Sequence, residues 1–215
     1  MKELSKIKTR YRKNPTDRVM QGDIFEDVPI PLWDIDFNEI VFEPDKTDNL
    51  SFAIVMSQDC DLEQDYNNWN RRKRKLTKSQ DKLLPSILVC VAYPSKQLLE
   101  GIHRGSKVTM VNWKEQKKTG DIDHNNYARF HFLEESTPFD KQAGIRIPSL
   151  IIDFKHCHAL PIRAVYKLYE SEHYIGSINE LFREELSQRF SSYLGRIGTP
   201  PLKNCPPCAE EETPQ

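Results

Sequence analysis

The sequence predicts an α+β fold, a small barrel of short strands with short helices between them and one long helix near the C-terminal end. Three observations carry that expectation. The stretch Ser51–Asp61, SFAIVMSQDCD, contains five consecutive apolar residues, Phe52 to Met56, which read as a strand covered on both faces. Ile87–Ala92 and Ser149–Lys155 read as two further strong strands. From Ile178 to Ile197, apolar residues such as Phe182, Leu186, Phe190 and Tyr193 recur at helical spacing. There is no internal repeat.

In chain order, residues 1–18 are basic and polar and read as a loose N-terminal arm. Gln21–Phe25 is a glycine-opened first strand, and Pro29 and Pro31 mark an edge or turn because proline cannot donate to a ladder. Asp34–Glu43 alternates apolar and polar, as a half-exposed strand does, and Pro44–Asn49 is a turn. Residues 62–82 form a basic insertion. Pro94 and Ser95 open a short helix, Lys96–Glu100, that Gly101 ends. Val108–Trp113 reads as a strand and Lys114–Asn126 as a polar connection. Tyr127–Leu133 alternates, which puts Arg129 and His131 side by side, facing out of the core. Pro138–Ile147 is a turn-rich link, and Ile162–Tyr169 a short helix. Ser177 with Glu180 makes a capping box for the last helix, and Gly198, Pro200 and Pro201 stop it. Residues 19–200 then form one domain, and 201–215 a flexible acidic tail.

A length of 215 residues suits one domain with tails. The net charge of −1 gives no global pull toward nucleic acid, although Lys2–Arg18 and Asn70–Lys82 are locally basic. No run approaches the roughly 18 apolar residues of a spanning helix, and the N-terminus lacks the apolar core of a secretory signal. The expectation is a cytoplasmic protein with no membrane partner. Five cysteines at irregular spacing fit a reduced compartment better than a disulfide framework.

Chemistry is expected where the organising strand ends, in the polar cluster Ser57, Gln58, Asp59, Cys60 and Asp61. The run Arg71, Arg72, Lys73, Arg74 and Lys75, close to Tyr66 and Trp69, is suited to hold a phosphate backbone while a ring stacks on a base. It equally suits a solvated helix face.

Several segments, read together, carry a likeness to a known family. Gly22-Asp23-Ile24 opens the first strand, Ala53–Asp59 is the next long strand, and Val89–Ser95 the one after it. Ser149–Pro161 holds Asp153 in a strand that runs into a turn and a short helix, and Tyr174–Ile178 leads into the final helix. Between about residues 20 and 197, with large insertions, this order resembles the MazF/PemK toxin family. That resemblance implies a small SH3-like β-barrel with a C-terminal helix, and a homodimer that binds single-stranded RNA along its dimer groove. It also implies metal-free cleavage through an arginine and a hydroxyl residue, by stabilising a phosphorane-like charge and moving protons. The family's arginine position falls in the region of Asn49, Leu50 and Ser51, and its hydroxyl corresponds to Ser95. An antitoxin or other partner protein is implied as well.

Three other constellations stay open. Asp59 and Asp61 with Asp153 and Lys155 have the makings of a restriction-type site, in which carboxylates hold Mg²⁺ and lysine stabilises a hydroxide. Cys205 and Cys208 have the two-residue spacing of Zn²⁺ ligands, with His156, Cys157, His158 or Cys60 to complete the set. Cys60 is a candidate nucleophile with His131 or His158 as its base, although flanking carboxylates oppose a thiolate. Cys90, inside a buried strand, reads as core.

Two main functions follow. The first is an RNA-binding protein of a bacterial toxin or defence locus, with endoribonuclease activity left open. It needs no cofactor, and Arg71–Lys75, Arg129, His131 and Lys155 touch phosphates. The second is a non-catalytic module on the same barrel that docks a partner protein through Ser57–Asp61 and the tails. A Mg²⁺-dependent nuclease is third.

Overall fold

A computed structural model of the chain describes residues 9–35, 40–73, 80–105 and 108–196, and for 32–35 and 40–47 the backbone alone. Among these residues, seven strands form one antiparallel sheet in the order β1-β7-β2-β3-β4-β6-β5. They are β1 (Tyr11–Arg12), β2 (Asp23–Ile35), β3 (Ile40–Val55), β4 (Ser86–Pro94), β5 (Phe130–Leu133), β6 (Leu150–Pro161) and β7 (Tyr174–Ile178). The helices are α1 (Asp59–Lys73), α2 (Ser95–Glu100), α3 (Thr119–Asp123), α4 (Pro138–Gln142), α5 (Ile162–Tyr169) and α6 (Glu180–Leu194). The α+β class is as expected.

The sheet is open among the described residues, with β1 and β5 at its two edges, where the sequence predicts a barrel. The reason lies in the strands themselves. Alternate residues of β3 and β4 feed two separate cores: Ala53, Val55, Val89 and Val91 on one face, Phe52, Ile54, Cys90 and Ala92 on the other. A sheet that is apolar on both sides must be a middle layer. Leu62 of α1, Leu98 of α2, Ile122 of α3 and Val165 of α5 cover the first face. Leu186 and Phe190 of α6 cover the second.

Local chemistry accounts for most departures from expectation. Pro29 and Pro31 lie in an interior strand, yet β7 pairs only with Asp23–Phe25, so the prolines face an edge with no partner strand. The expected arm joins the sheet at Tyr11–Arg12. Tyr11 is buried, pairs with Ile178 and donates its hydroxyl to the Glu134 carbonyl at 2.5 Å, while Asp140 accepts from its backbone N–H. The cap of α6 is Asn179, whose side chain accepts from Glu180 N–H at 2.7 Å. Ser177 sits in β7 with its hydroxyl committed to Asp23. Residues 108–113 form no strand, and α3 and α4 lie inside stretches read as connections. The expected terminator of α6 and the tail from 201 lie outside the described residues.

The insertion begins as α1, and Leu62, Asp65, Tyr66 and Trp69 fall on one stripe of it. Burying Leu62 contributes about 1.5–3 kcal/mol. Asp65, fully buried beside it, accepts Leu84 N–H at 2.9 Å and an Arg163 Nη2 at 2.7 Å on each oxygen. No helix among the described residues is long and apolar enough to cross a membrane.

Candidate functional site

The register of β4 against β6 creates a site that no local motif marks. Cys90 pairs with Cys157 and Ala92 with Ile152, so an irregularity in β6 opposes the single residue Val91. Such a bulge reverses the alternation of side chains. Ile152, Phe154 and Cys157 all pack toward the α6 face. His156 and His158, between and beyond them, consequently emerge on the opposite face, beside Val91 and Tyr93.

There they line a cavity of about 630 Å³. The floor is Tyr93, whose hydroxyl meets His156 Nδ1 at 2.5 Å, and His156 Nε2 lies 3.0 Å from His158 Nε2. Asn49 and Ser51 of β3 form another wall. His103 and Arg104 reach in from the loop after α2, which turns at Gly101 in the left-handed conformation, φ +75°. The His103 ring stands edge-on to Tyr93 at 4.6 Å, and its Nδ1 is buried with no hydrogen-bond partner within reach among the described residues.

All three imidazoles are held neutral at pH 7. Burial pushes His156 down to about 4, aided by His158 and Arg104. His158 is lowered by burial and then by Arg104, and His103 chiefly by burial. Burial raises the Tyr93 phenol to about 12. A neutral imidazole has one donor and one acceptor nitrogen. Two chains satisfy both contacts: Tyr93 O–H donates to His156 Nδ1 and His156 Nε2–H to His158 Nε2, which leaves His158 Nδ1 bearing a proton, or every donor is reversed, which leaves His158 Nδ1 a free acceptor and the Tyr93 O–H a free donor. The arrangement can take a proton at one nitrogen, pass one along and release one, next to the fixed positive charge of Arg104.

The residues expected from sequence are distributed elsewhere. Ser57 Oγ accepts Leu88 N–H at 2.8 Å. Asp59 is locked by Arg18, with bonds of 3.0 and 2.8 Å, and by Gln21 N–H. Burial raises its carboxyl, but Arg18 outweighs that and holds it below the ordinary range. Gln58 and Asp61 are exposed and line a separate groove of about 340 Å³ with Met56, Phe190 and Leu194. Asp153 is buried and taken by Arg129 at 2.7 and 2.6 Å, while the Lys155 side chain is exposed. The two carboxylate halves expected to share Mg²⁺ thus belong to different ion pairs. Among the described residues no three His, Cys, Asp or Glu side chains are grouped to hold one metal ion.

His131, expected to face outward, is 3% exposed; burial pushes it down to about 3. The expected alternation holds over Phe130–Leu133 only, since Tyr127 stacks on Phe130, and α6 covers the His131 face, with Arg189 reaching the Phe130 carbonyl at 2.8 Å. Ser95 Oγ pairs with Ser149 Oγ at 2.6 Å. Arg71, Arg72 and Lys73 are exposed in the last turn of α1, with Lys73 Nζ 5.8 Å from the Trp69 ring. Arg74, Lys75, Cys205 and Cys208 lie outside the described residues. Cys60 is exposed, and His158, one of its expected bases, bonds His156 instead. Tyr93, His103 and Arg104 went unnoticed as site residues. The available signal was the alternation His156-x-His158, which places two imidazoles on one face of a strand. No family model matches the chain, and comparison with curated proteins gives no match.

Proposed function

We propose that this protein cleaves single-stranded RNA by acid–base chemistry at the Tyr93–His156–His158 chain. The observation that carries the reading is that chain, uncharged at neutral pH, facing a cavity beside Arg104. The side chains foremost in the site move protons and hold charge, a set suited to a substrate with its own nucleophile. RNA has one in the 2′-hydroxyl. In the reversed chain His158 Nδ1 takes the 2′-hydroxyl proton as that oxygen attacks phosphorus, the His158 Nε2 proton passes to His156 Nε2, and the His156 Nδ1 proton reaches the departing 5′-oxygen through the Tyr93 hydroxyl. Arg104 stabilises the charge on the phosphorane-like state. The products are a 2′,3′-cyclic phosphate and a free 5′-hydroxyl. The relay leaves the chain in the opposite tautomer, and proton exchange with water at its two ends restores the starting one.

The MazF/PemK likeness belongs to the same proposal, with its SH3-like barrel, homodimer, antitoxin partner and toxin or defence setting. Asn49 and Ser51, in the region where that family carries its arginine, line this cavity, so Arg104 supplies a guanidinium to the same region from another loop. The exposed Arg71, Arg72 and Lys73 offer phosphate contacts along the way.

A second reading is a non-catalytic interaction module. The groove of Gln58, Asp61 and Phe190, with Leu194 62% exposed at its rim, favours it.

The test is purified protein with labelled single-stranded RNA and DNA, in EDTA or Mg²⁺, on a denaturing gel. RNA cut in EDTA, with a loss of about 10²–10⁴-fold in His156→Ala or His158→Ala, is the expected result. Cutting only with Mg²⁺ moves the site to the carboxylates, and no cutting under either condition leaves the interaction module.

A further inference from the structure

Cys90 and Cys157 are register partners on the antiparallel strands β4 and β6, with their sulfur atoms 2.9 Å apart. Residues directly opposite in such a pair have Cα atoms about 4.5–5.5 Å apart, within the span a disulfide bridges. A bond length of about 2.05 Å requires the sulfurs to close by less than about 1 Å. Cys90 is buried in the sheet, whereas Cys157 is half-buried and lies between His156 and His158 in the chain. The geometry points to a function for these thiols beyond packing. We propose that Cys90 and Cys157 form a reversible disulfide under hydroperoxide oxidation, and that this bond displaces His156 and His158 from their working contact. The second half rests on the ribonuclease reading for its meaning, but not for its measurement.

The chemistry balances with one hydroperoxide per pair. The Cys157 thiol gives up its proton and the thiolate attacks hydrogen peroxide; the O–O bond breaks, sulfenic acid forms, and the released hydroxide takes up that proton as the first water. The Cys90 sulfur then attacks the Cys157 sulfur, the S–O bond breaks, and the oxygen leaves with the Cys90 thiol proton as a second water. Two sulfurs are oxidised and one peroxide is reduced. The roles follow from the surroundings: a hydrogen bond from Cys90 favours the Cys157 thiolate, while the same bond together with burial keeps Cys90 protonated. As a thiol, Cys157 donates toward the Phe154 carbonyl at 3.2 Å, a contact that ionisation and the disulfide both remove. The consequence reaches the imidazoles through the backbone. His156 and His158 flank Cys157 directly, and their 3.0 Å contact has little slack before it ceases to be a hydrogen bond.

The experiment uses the full chain with Cys60→Ser, Cys205→Ser and Cys208→Ser, leaving only the two thiols in question. After hydrogen peroxide treatment, differential alkylation with mass spectrometry reads the bond, and the His156 and His158 imidazole signals are followed by NMR. The expected result is loss of both alkylation sites, recovery with dithiothreitol, and movement of both imidazole signals. Cys157→Ala and Cys157→Ser in the same background should show no such movement. Thiols that stay alkylatable, or a disulfide that leaves both imidazole signals in place, would overturn the proposal. Movement of the signals in a protein that cuts no RNA in either form would support the disulfide and sink the ribonuclease reading alone.

Discussion

Tyr93 and His156 join β4 to β6 through a 2.5 Å hydrogen bond, although Tyr93 points from a strand with a regular pleat and His156 from one with a bulge. That bond fixes which nitrogen of His156 is free to face His158. Tyr93→Phe keeps the ring against the Val91 face and removes only the donor. Cleavage is expected to fall about tenfold, the equivalent of one hydrogen bond of about 1.4 kcal/mol. With the hydroxyl gone, Nδ1 is open to water and takes up a proton more readily, so the His156 titration is expected to move up from about 4. NMR titration and a cleavage rate profile check both. An unchanged rate with a shifted titration would make the bond structural.

His131 sets an acid limit on stability. Its folded value is about 3 against an ordinary 6.5, with burial the main cause and Arg189 the second. Between those values the unfolded chain binds the proton and the folded chain refuses it. Stability is therefore present above pH 6.5 and is lost as pH falls toward 3, by up to about 1.4 kcal/mol per pH unit. His131→Phe keeps a ring near Phe154 and removes the titrating group. On going from pH 7 to pH 5 the native chain should lose about 2 kcal/mol of stability relative to the variant, read from denaturant midpoints at the two pH values. Asp23, pushed up to about 7 by burial, acts in the opposite sense over part of this range, so the difference between the two chains is the informative quantity. Equal pH dependence in both would rule out His131 as the source.

The fold was legible wherever one strand or helix speaks for itself. Phe52–Met56 and Ile87–Ala92 are apolar on both pleats, and both faces are covered. The spacing of Leu186 and Phe190 announces α6, while its cap was misassigned because Ser177 serves Asp23 from across the sheet. That use of its hydroxyl is a tertiary fact. The site was harder for the same reason. His156 and His158 share a face by simple alternation, but the face is chosen by a bulge that only the β4 register defines. His103 and Arg104 arrive on a loop whose course depends on Gly101. The carboxylates that stood out in sequence, Asp59 and Asp153, had partners far along the chain in Arg18 and Arg129.

Asp65 holds α1 to α5 and to the strand entrance at Leu84. Its carboxylate is fully buried, while Arg163 is about one third exposed and packs 4.0 Å from the Trp69 ring. Asp65→Ala strands a partly buried guanidinium and leaves the Leu84 N–H without its acceptor. Water reaches the arginine, so the expected cost is about 2–3 kcal/mol, below that of breaking a fully buried pair. Denaturant unfolding measures it. Trp69 fluorescence should shift to the red as Arg163 leaves its ring. A loss under about 0.5 kcal/mol, the range of an ordinary surface substitution, would mean that Leu62 and the Tyr66–Tyr166 stack anchor the helix without it.

Gly101 and Gly105 bracket the loop that carries His103 and Arg104, and both are left-handed, at φ +75° and +76°. They differ in what surrounds them. A Cβ at Gly101 would stand 2.9 Å from the Val111 carbonyl oxygen and 3.0 Å from that of Met110, whereas one at Gly105 meets nothing within 4 Å. Gly105→Ala therefore has only the backbone penalty, about 1–2 kcal/mol. Gly101→Ala has that penalty and must also push the 110–111 backbone away, for a total of about 2–4 kcal/mol. Because the displaced turn positions His103 and Arg104, Gly101→Ala should also lower RNA cleavage in protein that is still folded, with Gly105→Ala nearer the native rate. Thermal unfolding and cleavage of the two variants side by side separate the effects. Equal stability losses would show that the 110–111 backbone yields freely, and equal cleavage would remove the loop from the site.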